Sequence, residues 1–124
     1  MILNKDFFSV ALANNEKVEK GKGKTVANIS SVMGSIESNW GCCIGYRASK
    51  SALNMMNSTL ALEFAERGYT FVVLHPGYVK TDMNAGQGNI TTLQSSTGLF
   101  KVISGLSTAD NGRYYDFRGE PLPW

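Results

Sequence analysis

Two short apolar runs, TVANIS at residues 25–30 and TFVVLH at residues 70–75, stand on either side of a long segment of helical period. Both runs are rich in β-branched residues and almost uncharged, and neither alternates apolar with polar, so both read as strands buried on both faces. Between them, apolar residues recur at 48, 52, 55, 56, 60, 64 and 65, with Arg67 in the final turn and Gly68 as the stop, which predicts a helix over 46–67. Antiparallel strands need only a tight turn, whereas a helix of this length between two strands implies a right-handed crossover and parallel pairing. The chain is therefore expected to be α/β with a parallel sheet.

The other elements are less distinct. DFFSVALA (residues 6–13) reads as the end of an amphipathic helix, followed by a polar loop, and residues 32–45 form a loop of small residues. TDMNAGQGNITTLQSSTG (81–98) is polar and glycine-containing and predicts a loop with short helical pieces that could act as a mobile lid. LFKVISGL predicts a brief helix and GRYYDFRGEPLPW a last strand with a tail, although Asp110-Asn111-Gly112 could instead open a hairpin. At 124 residues, without a repeat or linker, the chain predicts a single domain.

Twelve basic residues against ten acidic form no dense stripe, which argues against a nucleic-acid surface, and no apolar run is long enough to span a bilayer. The only cysteines, Cys42 and Cys43, are adjacent and have neither metal-site nor CxxC spacing, which fits a reducing compartment. No signal peptide is read at the N-terminus, so a cytoplasmic location is expected.

Three features converge on one predicted edge of the sheet. In GYRASKSALNMM, Tyr46 and Lys50 sit at i and i+4, one above the other on a helix face. A free phenol titrates near pH ~10 and a neighbouring cation favours its phenolate, so such a pair makes a general acid/base. Ser30-Ser31 follow the first strand, at the carboxyl edge where open α/β sheets place ligands, and such a serine could hydrogen-bond a substrate oxygen. LHPGYVKTDM follows the second strand, where Pro76-Gly77 lets backbone approach a ligand while Val79 and Thr81 offer main-chain and hydroxyl partners. Trp40, Cys42, Cys43, Ile44 and Met83 are placed either to line a substrate pocket or simply to pack loops. GKGKT (21–25) ends like a phosphate loop but has Val18 where the first glycine belongs, and His75 lacks a G-x-S-x-G partner, so these read as a solvated loop and a structural histidine.

NISSVMGS, YRASK with SALNMM, HPGYVKTDM and GRYYDFRGEPLPW together resemble the short-chain dehydrogenase/reductase family, in particular its carbonyl-reductase branch. The resemblance implies a partial Rossmann-like, doubly wound parallel sheet of about three strands with flanking helices. It also implies NAD(P)(H)-dependent reduction of a carbonyl or oxidation of an alcohol, with NADP favoured over NAD and a small-molecule substrate. By the same resemblance Tyr46 would be the proton donor or acceptor and Ser31 would steady the substrate oxygen. Lys50 would assist the tyrosine and bind the nicotinamide ribose, and Pro76, Gly77, Val79 and Thr81 would flank the nicotinamide and its phosphates. No metal is implied.

The resemblance runs from about residue 28 to 124 and corresponds to the family's second half. No glycine-rich strand-to-helix turn precedes these motifs, so the phosphate cradle and the residue selecting NAD or NADP have no counterpart. The family's upstream catalytic asparagine is likewise not identifiable, and Asn4 is not assigned to that role. The strands 25–30, 70–75 and 112–117 would lie side by side with one bare edge, which predicts a homo-oligomer or an unstable monomer. The alternatives to an enzyme are a non-catalytic remnant or interaction module that lacks cofactor binding, and a piece of a longer active enzyme.

Overall fold

The computed structural model describes residues 24–124. They form strand β1 (Thr25–Ile29), helix α1 (Ile44–Glu63), strand β2 (Thr70–His75), helix α2 (Thr92–Gly105) and strand β3 (Tyr114–Asp116), linked by short 3-10 turns. The expected helix over 6–13, residues 21–23 of GKGKT and Asn4 lie outside the described residues, and Thr25 of GKGKT opens β1.

The three strands form one parallel sheet in the order β1-β2-β3. Thr25 pairs with Thr70 and Ile29 with Leu74, while Val73 pairs with Tyr114 and His75 with Asp116. Strand β2 is central and its uninterrupted apolar run is explained by burial on both faces, with Phe71, Val72, Val73 and Leu74 all enclosed. Each such side chain contributes about 1.5–3 kcal/mol relative to an exposed position. Phe71, Tyr69 and Ala61 form a cluster extended by Val26, Leu60 and Phe64, in which Phe64 meets Tyr69 edge to face at 5.6 Å.

Two expectations need correction and one alternative falls away. Helix α1 starts earlier than position 46, and the fully buried part of the face it turns toward the sheet is mostly polar or small, with Arg47, Asn54, Asn57 and Ala61 enclosed, while Leu60 and Phe64 of the apolar stripe pack partly buried on the core cluster. Met55 is 68% exposed and Leu62 79%. The reason is that β1 presents Asn28 and Ser30 to this helix. Asn28 Nδ2 donates to Asn57 Oδ1 at 2.8 Å and Ser30 Oγ to Asn54 Oδ1 at 2.7 Å, so both amide oxygens meet partners, while Asn54 Nδ2 and Asn57 Nδ2 are buried without one. Helix α2 is also longer than the brief helix expected, because Thr91 and Gln94 form a capping box: Thr91 Oγ1 accepts from Gln94 N and Gln94 Oε1 from Thr91 N. Finally, Asp110-Asn111-Gly112 opens no hairpin. Gly112 N instead donates to Phe71 O, and β3 runs parallel to β2.

After β3 the chain turns back over the carboxyl edge of the sheet. Buried Asp116 accepts from Arg118 Nε and from the amides of Arg118 and Glu120, and Leu122 N donates to Tyr114 O. The tail then places Trp124 against Tyr114, with ring centres 5.2 Å apart, and its carbonyl accepts from Glu37 N and Ser35 Oγ. This tail ties β3 to the loop that follows β1.

Candidate active site

The site is built where β1 ends. Ser30 N donates to Leu74 O as the last sheet bond, after which Ser31 caps a 3-10 turn (Val32–Gly34), its Oγ accepting from Met33 N at 3.2 Å. A hydroxyl that accepts one bond keeps its own proton to donate. The turn packs directly on helix α1. Ser51 Oγ donates to Gly34 O at 2.8 Å, and a Cβ at Gly34 would stand 2.8 Å from the Lys50 backbone. Only glycine permits that approach.

One helical turn separates Tyr46 from Lys50. The Lys50 ammonium donates to Ile29 O at 3.2 Å and lies 5.8 Å from the centre of the Tyr46 ring. That single bond occupies one of the ammonium's three donors. Lys50 therefore bridges the end of β1 and the face of the phenol.

Tyr114 joins this group from β3. Its hydroxyl donates to Ser31 O at 2.6 Å, and its pKa is pushed up to about 12, chiefly by burial. The Asn54 amide opposes that rise and the charge of Tyr46 adds to it, which brings Tyr46, Tyr114, Asn54 and Ser31 into one electrostatic neighbourhood. Asn54 is 4% exposed and Tyr114 2%. Neither was singled out from sequence. Asn54 carried a detectable signal, since it lies four residues beyond Lys50 on the face that Tyr46 and Lys50 define; Tyr114 carried none.

The loop after β2 is less open than expected. Gly77 has φ +88° and stands where a Cβ would come within 2.6 Å of Ile90 and 3.1 Å of the Phe117 ring, so its glycine serves internal packing. Pro76 O accepts from Ser95 Oγ, Val79 bridges to Ile90, and Val79 O accepts from Asn84 Nδ2. Thr81 turns its amide onto Asn84 Oδ1 at 3.0 Å and its hydroxyl toward the same oxygen at 3.4 Å. These four residues thus hold the loop's own shape, and the Thr81 hydroxyl, at the long end of hydrogen bonding, is the one least committed to it.

His75 ends β2 with Nδ1 buried and unpartnered, and burial lowers its pKa while Asp116 opposes the drop. Trp40, Ile44 and Met83 are 62%, 85% and 90% exposed. A cavity of about 520 Å³ lies elsewhere, between α2 and the turn after β3, and is lined by Gly98, Lys101, Val102, Tyr115, Phe117 and Arg118. None of Ser31, Tyr46 or Lys50 lines it. No helix among the described residues is long and apolar enough to cross a membrane.

This arrangement has relatives. The family model for short chain dehydrogenase matches residues 6–103, well over half of the chain. The chain belongs to the short chain dehydrogenase family. The match begins upstream of residue 28, so the family likeness reaches further toward the N-terminus than the motifs suggested. The chain is 36% identical to the C-signal of Myxococcus xanthus over 108 residues, covering 86% of this chain and 65% of that protein. Among solved structures it is similar to the carbonyl reductase Sniffer of D. melanogaster, with 36% identity and a TM-score of 0.77 over 81% of this chain and 41% of that one. The NADPH-bound carbonyl reductase from chicken fatty liver gives 37% identity and a TM-score of 0.74 over 81% and 42%. The chain thus spans 65% of the first of these curated relatives and less than half of these two solved ones.

Proposed function

We propose that this chain carries the proton-transfer centre of an NAD(P)(H)-dependent oxidoreductase that reduces a carbonyl or oxidises an alcohol, with Tyr46 as acid/base. The observation that carries the proposal is the convergence of Tyr46, Lys50 and Ser31: Lys50 spans the end of β1 and the phenol, while Tyr114 ties the Ser31 turn into the neighbourhood of Tyr46. In the reducing direction the Tyr46 hydroxyl gives its proton to the substrate oxygen, the Ser31 hydroxyl donates to that oxygen, and the Lys50 cation stabilises the negative charge left on the phenol.

The residues present fit the nicotinamide side of such a cofactor. Two of the Lys50 ammonium donors are unused by its bond to Ile29 O and suit ribose hydroxyls, and the Thr81 hydroxyl can leave its 3.4 Å contact for a phosphate oxygen. Pro76, Gly77 and Val79 would bound this side through the loop they shape. When bound, the cofactor supplies or removes hydride at the substrate carbon. NADP is favoured over NAD by the likeness to an NADPH-bound reductase.

The test is titration of the purified chain with NADPH and NADH, followed by nicotinamide fluorescence, and turnover of an aldehyde and ketone panel by wild type and Tyr46→Phe. Saturable binding with turnover lowered about 10²–10⁴-fold in the variant is expected. Absence of binding at millimolar cofactor overturns the proposal for this chain. The outer edge of β1 has no strand partner among the described residues and Ile29 is 45% exposed, which supports a homo-oligomer joined there. Sedimentation that yields only monomer would remove that part.

A further inference from the structure

The two cysteines, just ahead of the helix that carries Tyr46, occupy an unusual piece of backbone. Gly41, Cys42 and Cys43 follow one another with φ of +88°, +63° and +53°, the left-handed region that residues with a Cβ seldom adopt. Both thiols are free and exposed. The neighbouring Cys42 thiol is the main reason the Cys43 thiol titrates above its ordinary value. The Arg47 cation acts in the opposite sense on Cys43.

Arg47 holds this loop in place. Although it is only 8% exposed, it forms no ion pair among the described residues and instead gathers backbone carbonyls. Nε donates to Gly41 O and Cys42 O, each at 3.0 Å, and Nη1 donates to Met33 O at 3.3 Å. Its Nη2 is buried without a partner, and the guanidinium lies 4.2 Å over the Trp40 ring. A rotation of the 42–43 backbone that moves the Gly41 and Cys42 carbonyls therefore leaves the buried cation with only Met33 O and the Trp40 ring.

We propose that Cys42 and Cys43 form a vicinal dithiol site that a low-molecular-weight disulfide of the glutathione type closes into an intramolecular bridge, releasing Arg47 from the loop. In the first step one cysteine thiolate attacks a sulfur of the reagent. The reagent S–S bond breaks, a mixed disulfide forms on the protein and one reagent thiol leaves. The neighbouring thiolate then attacks the protein sulfur of that mixed disulfide, forming the Cys42–Cys43 bond and expelling a second reagent thiol. Two protein thiols lose two electrons and two protons, and one reagent disulfide becomes two thiols.

The bridge is strained. Adjacent Cα atoms across a trans peptide lie about 3.8 Å apart, below the ~4.4 Å at which ordinary disulfides begin, so closure twists the backbone and the bond reopens readily with excess thiol. A strained, exposed bridge of this kind is labile and suited to reversible change rather than to stapling a fold.

The experiment treats the reduced full-length chain with glutathione disulfide and follows intact mass, non-reducing electrophoresis and tryptophan emission. The expected product is a monomer lighter by two hydrogens, with shifted emission that recovers on adding dithiothreitol. Cys42→Ser is expected to lose both the mass change and the emission shift, and Trp40→Phe to keep the mass change but lose the shift. A chain retaining one glutathione on each cysteine, or forming only covalent dimers, overturns the intramolecular site. Closure that leaves Trp40 emission unchanged overturns the release of Arg47.

Discussion

Replacing Gly34 by alanine tests how tightly the Ser31 turn must sit on helix α1. The new Cβ would stand 2.8 Å from both the carbonyl carbon and the Cβ of Lys50 and 3.0 Å from Asn54 Nδ2. Ordinary contact begins at 3.4 Å, so turn and helix must separate by about 0.6 Å. The obstacle is helix backbone, which no rotamer change removes. Overpacking of this kind costs about 1–3 kcal/mol, against which alanine recovers about 0.4–1 kcal/mol by restricting the unfolded chain. At mid-range values, about 2 less about 0.7 kcal/mol, a net loss of about 1–2 kcal/mol is expected, read as a lower urea midpoint with unchanged slope. The same separation draws Ser31 from Lys50 and Tyr46, and displacement approaching 1 Å costs up to about 10²-fold in turnover if these groups act together. A Gly34→Ala chain within about 0.5 kcal/mol of wild type would refute the reasoning, because that is the range of an ordinary surface change.

Other perturbations have equally definite outcomes. Gly45 lies in the first turn of α1 with nothing within 4 Å of a Cβ, so Gly45→Ala should raise stability by about 0.5 kcal/mol in the same urea assay. Tyr114→Phe leaves Ser31 O without its 2.6 Å donor and should cost about 1–3 kcal/mol with unchanged circular dichroism. Because folding raises the Tyr114 pKa from 10.0 to about 12, the folded state keeps a proton that the unfolded chain loses, and stability falls as pH rises through that interval. Tyr114→Phe should flatten this alkaline limb, leaving the parts due to Tyr115, whose pKa is also raised by burial, and to Cys43, whose pKa is raised by Cys42. His75 behaves in the opposite sense. Burial lowers its pKa below 6.5, so the unfolded chain binds the proton more readily and stability falls as pH drops below that value. His75→Gln should flatten the decline in thermal midpoint between about pH 7 and pH 5.5.

How much of this was visible beforehand depends on where each element finds its partners. TFVVLH was legible because a strand enclosed on both faces needs an unbroken apolar run, and β2 occupies residues 70–75 as read. The crossover was legible from length alone, and β1 and β2 do pair in parallel. The stripe on α1 was informative only in part, since Leu60 and Phe64 pack on the core but Met55 faces outward while Asn54 and Asn57 face the sheet. Helical periodicity reports that two faces differ, but which one turns inward depends on what the neighbouring strand presents. Here Asn28 and Ser30 supply hydrogen-bond partners, without which burying those amides would cost more than burying alkyl groups gains. The start of α2 was hidden because the Thr91–Gln94 cap lies in a polar stretch that resembles loop.

For the candidate site the division is similar. Tyr46 and Lys50 were marked by spacing on one helix, and Ser31 by its place at a strand end, all of which are local properties. Tyr114 reaches Ser31 across 83 positions of sequence, Trp124 ties Ser35 across 89, and Arg47 meets Met33 across a loop that no periodicity describes. By itself the sequence determined the order of elements, their parallel pairing and the residue types able to move a proton. Tertiary structure alone decided which face of α1 meets the sheet, that Asn54 and Tyr114 frame the Ser31 turn, and that Thr81 is held by Asn84. The physical reason is that buried donors and acceptors must find partners, and those partners come from whichever segment folding brings near.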